Sequence, residues 1–209
     1  IRDIQRKAHP LDEALATLLA RCQRVRDQKR NDSNKLYSLH EPDVRCISKG
    51  KAHKRYEFGQ KIALATTNRR DWFVAATLCP DNPYDGHTLD RTLQQVESIT
   101  GVKVSDAYVD KGYRGHDYTG PATIHIACGG AGRSSTHLTP TQRKRRKRRS
   151  AIEPKIGHAK SENRMNRCYL KGLLGDALNA ILAAAGANLR KLLRLLSCAM
   201  PTWLAPWAR

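Results

Sequence analysis

The sequence predicts a mixed α/β domain with helices flanking a sheet, and three observations carry that expectation. Residues 56–67 (YEFGQKIALATT) and 72–79 (WFVAATLC) are rich in strand formers, and the polar residues between them read as the loop of an antiparallel hairpin. Leu89, Leu93, Val96 and Ile99 then recur at helical spacing. Val104, Ala107, Tyr108 and Val109 follow as a short, mostly apolar run suited to a buried strand. A hairpin, a helical crossover and a further strand make a mixed sheet rather than a sandwich or a bundle.

Taken in order, residues 11–28 predict an amphipathic helix whose stripe of Leu11, Leu15, Leu18, Leu19, Cys22 and Val25 packs on the core. Residues 29–35 are a polar connector. Residues 36–54 hold one short strand around Val44 to Ile47. Asp43, after Pro42, closes a turn more readily than it ligates a metal, and His40 and His53 lack partner spacing. Residues 79–88 are a loop dense in Pro, Asn, Asp and Gly, with Thr88 or Asp85 placed to cap the helix through Leu89 and with Gly101 ending it. Residues 122–127 (ATIHIA) are a further strand. The Gly-rich residues 129–135 lack the Lys-Ser or Lys-Thr ending of a phosphate loop. Residues 173–199 are long and apolar, but Asp176, Asn179, Asn188, Arg190, Lys191 and Arg194 interrupt them. That pattern predicts one or two core helices with a basic end, stopped by Pro201, rather than a membrane span. Residues 202–209 read as a loosely ordered tail from which Trp203 and Trp207 could fold back. The organisation expected is a helical segment and connector over 1–35, the main domain over 36–198 and a tail over 199–209.

Lys and Arg number 38 against 19 acids, a formal charge of +19 over 209 residues. Such an excess points to a polyanionic partner, nucleic acid first. Cys22, Cys46, Cys79, Cys128, Cys168 and Cys198 are scattered without close pairing, and His125 with Cys128 has no second ligand pair. They read as reduced packing residues of an intracellular protein, and no secretory signal opens the chain. The charged start at Ile1, without Met, suggests part of something longer.

Two acids stand out chemically. Asp110 falls where the strand through Val109 should end, before a turn at Lys111-Gly112, and a carboxylate at the carboxyl end of a central strand sits where ligands are held. The competing reading is a turn-initiating Asp before Gly. Glu153 precedes Pro154, which suits the first turn of a helix; there an acid also favours the macrodipole. Lys160 lies about two turns on from Glu153, and Arg149 joins their face only if helical backbone continues through Pro154. Just before Glu153 runs the densest charge block, Arg143, Lys144, Arg145, Arg146, Lys147, Arg148 and Arg149. Like charges so crowded repel unless a polyanion neutralises them, which favours a DNA backbone contact over a merely solvated face. Carboxylates converging at a sheet edge hold Mg²⁺ or Mn²⁺ for in-line attack at phosphorus.

With those motifs in order, the chain resembles the C-terminal part of a bacterial insertion-sequence transposase of the DDE class, in the insertion-sequence-five group. The segments that carry the resemblance are NKLYSLHEPDV, KGKAHKRYEFGQKIALATT, NPYDGHTL, VDKGYRGH, RSAIEPKIGHAKSENRMNR and LKGLLGDALNAILAAAGANLR, across residues 34 to 196. The resemblance implies an RNase H-like mixed sheet flanked by helices, here truncated at its N-terminal side, and a catalytic Asp-Asp-Glu triad. Asp110 matches the second acid and Glu153 the third, both as metal ligands for Mg²⁺ or Mn²⁺. In the family's signature of Tyr, Arg, Glu and Lys, Arg149, Glu153 and Lys160 keep their spacings, while Arg146 stands at the Tyr position. The first acid of similar transposases lies on an upstream strand in an Asp-Thr-Thr or Asp-Ser-Thr motif, which this sequence lacks; Asp43 is the fallback. The implied function is DNA cleavage and strand transfer at insertion-sequence ends and target DNA, by a homo-oligomer in the bacterial cytoplasm at the nucleoid, with no membrane. The alternative is a catalytically inactive, DNA-binding remnant.

Overall fold

A computed structural model describes residues 1–7, 12–48, 55–127 and 139–204, the last six of these as backbone alone. The Gly-rich stretch 129–135, His53, Cys128 and Trp207 lie outside the described residues, as does the side chain of Trp203. The chain divides into two compact units, Ile1–Lys61 and Ile62–Arg209.

The first unit holds α1 (Arg2–Lys7), α2 (Glu13–Asp27) and the antiparallel pair β1 (Arg45–Ser48) and β2 (Tyr56–Gly59). The α2 stripe does not pack as expected: Leu19 is buried, but Leu18 and Val25 are exposed. What holds α2 to the following connector is polar. The Gln28 amide donates to the Leu36 carbonyl and accepts from the Leu36 N–H, both at 2.9 Å, which seats Leu36 in a buried position. The expected strand over 56–67 is two strands. Gly59 has φ +143°, a conformation that L side chains rarely adopt, and it redirects the chain so that β2 pairs with β1 while the next strand pairs onward. Asp43 sits in a turn, its carbonyl accepting from the Gln60 amide.

The second unit is a hairpin clasped by helices. Strands β3 (Lys61–Thr66) and β4 (Phe73–Cys79) pair through a six-residue connection, too short for a parallel crossover. Nearly all of β4 is buried, and it packs against α3 (Leu89–Thr100) and α6 (Gly172–Leu204). Its main chain is finished by helix side chains. Gln95 of α3 accepts from the Ala76 N–H at 3.1 Å. Asn188 of α6 accepts from the Phe73 N–H at 3.0 Å and donates to the Phe73 carbonyl at 2.8 Å. The core there is Phe73, Ala76, Ala159, Ala180 and Ala184, with Ile62, Leu64, Met165 and Ala187 packed around it. Alanines let α5 (Ile152–Glu162) and α6 approach closely. Gly101 takes the left-handed conformation, φ +67°, that ends α3 as expected. Neither cap candidate caps it: the Thr88 hydroxyl donates to the Asp85 carbonyl at 2.7 Å inside a 3₁₀ turn.

Strands β5 (Asp106–Val109) and β6 (Thr123–Ile126) form a parallel pair in the register Asp106 to Thr123. The architecture is mixed α/β, yet the described strands make three two-stranded sheets rather than one continuous sheet. Helix α6 runs on through Pro201, which does not stop it. Only its alanine face is buried, whereas Leu174, Leu178, Ile181 and Leu189 are exposed, contrary to the core helix expected. Among the described residues five cysteines are free; Cys79 is buried and Cys198 exposed.

Candidate functional site: a cleft between two strand edges

A cleft of about 510 Å³ opens between the β3–β4 hairpin and β5. Consecutive residues of both strands line it, Leu64, Ala65 and Thr66 from β3 and all of β5. Successive residues of a strand point to opposite faces, so a run of them lining one space presents the strand's edge. The hydrogen bonds agree. The carbonyls of Ser105 and Val109 accept from Thr123 and Ala127, on the β6 side, at 2.8 and 2.9 Å. By alternation the main-chain groups of Asp106 and Tyr108 face the cleft. Leu93 and Val96 of α3 make the apolar wall, and Arg148, Arg149 and Ile152 line another part.

The basic block forms α4 (Pro140–Arg148), with no buried residue. Pro140 opens it, and Thr139 and Gln142 make a reciprocal capping box, so local chemistry forms this helix without a core. Polar ties help to hold it. The Asn68 amide of the hairpin turn donates to the Arg145 carbonyl at 2.8 Å, and the Arg145 guanidinium lies 3.7 Å from Asp106 on β5. Asp106 also meets the His125 ring at 2.7 Å, and that hydrogen bond, with lesser help from Ser105 and Arg145, holds its carboxyl below the ordinary range against the opposing effect of burial. His125 stacks on Tyr108 at 4.6 Å. Arg143, Lys144, Arg145 and Lys147 are exposed, while Arg146, Arg148 and Arg149 are half-buried.

A 3₁₀ turn (Arg149–Ala151) leads from α4 straight into α5, so helical backbone does continue past Pro154. Pro154 falls in the first turn of α5, where an N–H would have no intrahelical acceptor. Arg149 therefore faces Glu153, at 4.0 Å, and α5 contains both Glu153 and Lys160. The Glu153 carboxylate is 72% exposed.

Asp110 ends β5, and its carboxylate accepts from the Gly112 N–H at 2.9 Å, the turn geometry that competed with the metal reading. The same turn brings up a second acid, Asp85, whose sequence position marks it only as a helix-cap candidate. A Cβ on Gly112 would lie 2.7 Å from the Asp85 carboxylate and 3.1 Å from that of Asp110, so the two acids flank one bare glycine. Tyr113 registers both: burial raises its hydroxyl pKa most, a hydrogen bond with Thr88 opposes this, and the charges of Asp85 and Asp110 raise it further. Asp85 lies 25 residues upstream in a loop, and nothing in its spacing marks it as a neighbour of Asp110.

Neither Asp110 nor Glu153 is among the residues that line the cleft; each follows a lining residue in sequence, Asp110 after Val109 and Glu153 after Ile152. Among the described residues no group of three His, Cys, Asp or Glu side chains converges to hold a metal ion. The oxygen donors of Asp85 and Asp110 are of the kind Mg²⁺ and Mn²⁺ take, and two carboxylates suit an ion that keeps most of its waters.

No curated protein and no solved structure matches the chain. Residues 130–193 match the transposase DDE domain, a segment holding the basic helix, Glu153, Lys160 and most of α6. Through that segment, just under a third of its length, the chain is similar to the DDE transposases.

Proposed function

We propose that the cleft is the active-site region of a DNA transposase, with Asp110 and Glu153 as its catalytic, metal-holding acids and α4 as its DNA grip. The observation that carries this reading is the coincidence of the DDE-domain match with one helical run. Within residues 140–162 that run joins a basic helix with no buried residue, the Arg149–Glu153 pair and Lys160. DNA is the substrate the match implies. In this reading Arg143, Lys144 and Lys147 hold phosphates, Arg145 and Arg146 follow the same backbone, and Arg148, Arg149 and Lys160 approach the scissile phosphate beside Glu153. Asp110 and Asp85 hold Mg²⁺ or Mn²⁺, with Glu153 brought in on α5. When bound, such an ion supplies Lewis-acid activation of a water or a 3′-hydroxyl and stabilises the leaving oxygen. The Gly112 N–H fixes one oxygen of Asp110, leaving the other for the ion.

The sheet belongs to the same proposal. A strand entering the cleft meets the unpaired groups of Asp106 and Tyr108 on one side and the β3 edge on the other, joining β4, β3, β5 and β6 into one mixed, RNase H-like sheet. Its side chains meet Leu93 and Val96, or Arg148 and Arg149, where a carboxylate is favoured. The resemblance puts the first acid on such a strand. Helix α6 is long and apolar enough to cross a membrane by length and composition. Its buried alanine face and its charges at Asp176, Arg190, Lys191 and Arg194 support a packing helix instead, in a cytoplasmic, nucleoid-bound protein.

The absence of a three-acid group among the described residues favours a second reading, a DNA binder without catalysis. Nicking of supercoiled DNA in Mn²⁺ separates the two, run on the 209-residue chain and on a version extended upstream. Cleavage by the extended protein, abolished by Asp110→Ala or Glu153→Ala, supports the active site. DNA binding without cleavage in both leaves the binder.

A further inference from the structure

The β1–β2 pair of the first unit has two unlike faces. In its register Cys46 pairs with Phe58 and Ser48 with Tyr56, so these four side chains share one face, while Arg45, Ile47 and Glu57 alternate onto the other. The first face carries rings and no charge. Tyr56 is 56% exposed and Phe58 63%. Tyr37, from the segment between α2 and β1, extends the same surface: its ring centre lies 5.4 Å from that of Phe58, tilted by 52°, and it too is exposed. Cations rim these rings. The Lys35 ammonium lies 5.9 Å from the Tyr37 ring centre and gives one of its three donors to the Arg30 carbonyl, at 2.6 Å. Arg55, which directly precedes Tyr56, is exposed.

We propose that this face is a stacking platform for the unpaired bases of single-stranded DNA. The aliphatic Ile47 lies on the opposite, half-buried face, and the rings lie on the exposed one. Rings alone would suit any apolar partner, but the charges select a polyanion. Lys and Arg outnumber acids about two to one in residues 1–61, and the one acid of the two strands, Glu57, is turned to the other face. Bases offer a π face to an aromatic ring whatever their sequence, and the rim cations take the phosphates that link them. Duplex DNA does not fit, because its paired bases cover one another's faces and leave only their edges in the grooves. The strand geometry agrees. Tyr56 and Phe58, two residues apart, set their rings about 6.5–7 Å apart. That is about twice the 3.4 Å between stacked nucleotides, so the rings seat the bases of a drawn-out strand separately. The inference rests on DNA as the substrate, but it lies in the first unit and concerns another form of DNA than the duplex held by α4, so the two readings fail separately.

Fluorescence anisotropy of a labelled oligothymidylate with the 209-residue chain reads the platform, and the same titration with duplex DNA reads α4. Tyr56→Ala and Phe58→Ala should each weaken oligothymidylate binding about tenfold or more, with duplex binding and circular dichroism unchanged. Phe58→Leu, apolar but without a π face, should lose as much as Phe58→Ala. Phe58→Trp should keep the affinity, and its added fluorescence should be quenched by the oligonucleotide. Full affinity in the alanine variants or in Phe58→Leu overturns the platform, as do equal losses on duplex and oligothymidylate. Duplex binding without oligothymidylate binding overturns the platform and leaves α4 standing. Oligothymidylate binding that Tyr56→Ala removes, in a chain that does not bind duplex, supports the platform and removes α4 instead.

Discussion

Asn188→Ala should destabilise the second unit far more than an ordinary surface substitution. The Asn188 side chain is the strand partner that Phe73 lacks, accepting from its N–H at 3.0 Å and donating to its carbonyl at 2.8 Å across 115 residues of sequence. Removing it loses two hydrogen bonds and leaves two part-buried main-chain groups unsatisfied. At about 1–3 kcal/mol per orphaned group, the loss is about 2–6 kcal/mol. With a urea slope of about 2 kcal/mol per molar, the unfolding midpoint by circular dichroism should fall by about 1–3 M. Arg194→Ala, exposed on the same helix, should stay within about 0.5 kcal/mol. Asn188→Asp tests the geometry further. It keeps the acceptor for the N–H but sets a carboxylate against the Phe73 carbonyl, which raises its folded pKa. That variant should gain stability as pH falls through the raised pKa, because protonation restores a donor. A midpoint for Asn188→Ala within 0.2 M of wild type would refute the role given to this side chain.

Asp106→Asn should cost stability at neutral pH, and the gap to wild type should close in acid. The folded pKa of Asp106 is depressed by His125, so its contribution is present above the ordinary carboxylate pKa of about 4 and is lost as pH falls through the lower folded value. Urea midpoints from pH 7 to pH 2 check this. Gly112→Ala should push the Asp85 and Asp110 carboxylates apart, since its Cβ would sit 2.7 Å from one of them, and Mn²⁺ titration followed by electron paramagnetic resonance should show weaker binding with the fold intact. Lys160→Ala should weaken DNA binding in Ca²⁺, measured by fluorescence anisotropy, through loss of a phosphate contact.

How far the sequence revealed this arrangement depended on the range of the forces involved. Helix α3 was legible because its stripe and the Gly101 stop are local signals, and Asp110 could be placed at a strand end for the same reason. The Arg149–Glu153 pairing turned on whether Pro154 would break the helix, and the 3₁₀ turn before it resolved that locally. Asp85 was not legible as a companion of Asp110, because only the folding of two turns against each other brings them together. The stripe of α2 and the leucines of α6 looked like core because hydrophobic periodicity records that a face is apolar and not what covers it. One strand was expected over 56–67 because pattern alone does not register the single positive φ at Gly59.

The salt dependence of DNA binding reads out whether α4 grips DNA. Wild type and the triple variant Arg143→Ala, Lys144→Ala, Lys147→Ala are titrated with duplex DNA across a range of salt, and log affinity is plotted against log salt. These three side chains are exposed, and in this account each neutralises one phosphate. The slope should therefore become shallower by about 2–3, at roughly 0.9 per phosphate contact released. A slope unchanged by the triple substitution would place the DNA elsewhere on the protein and contradict the account.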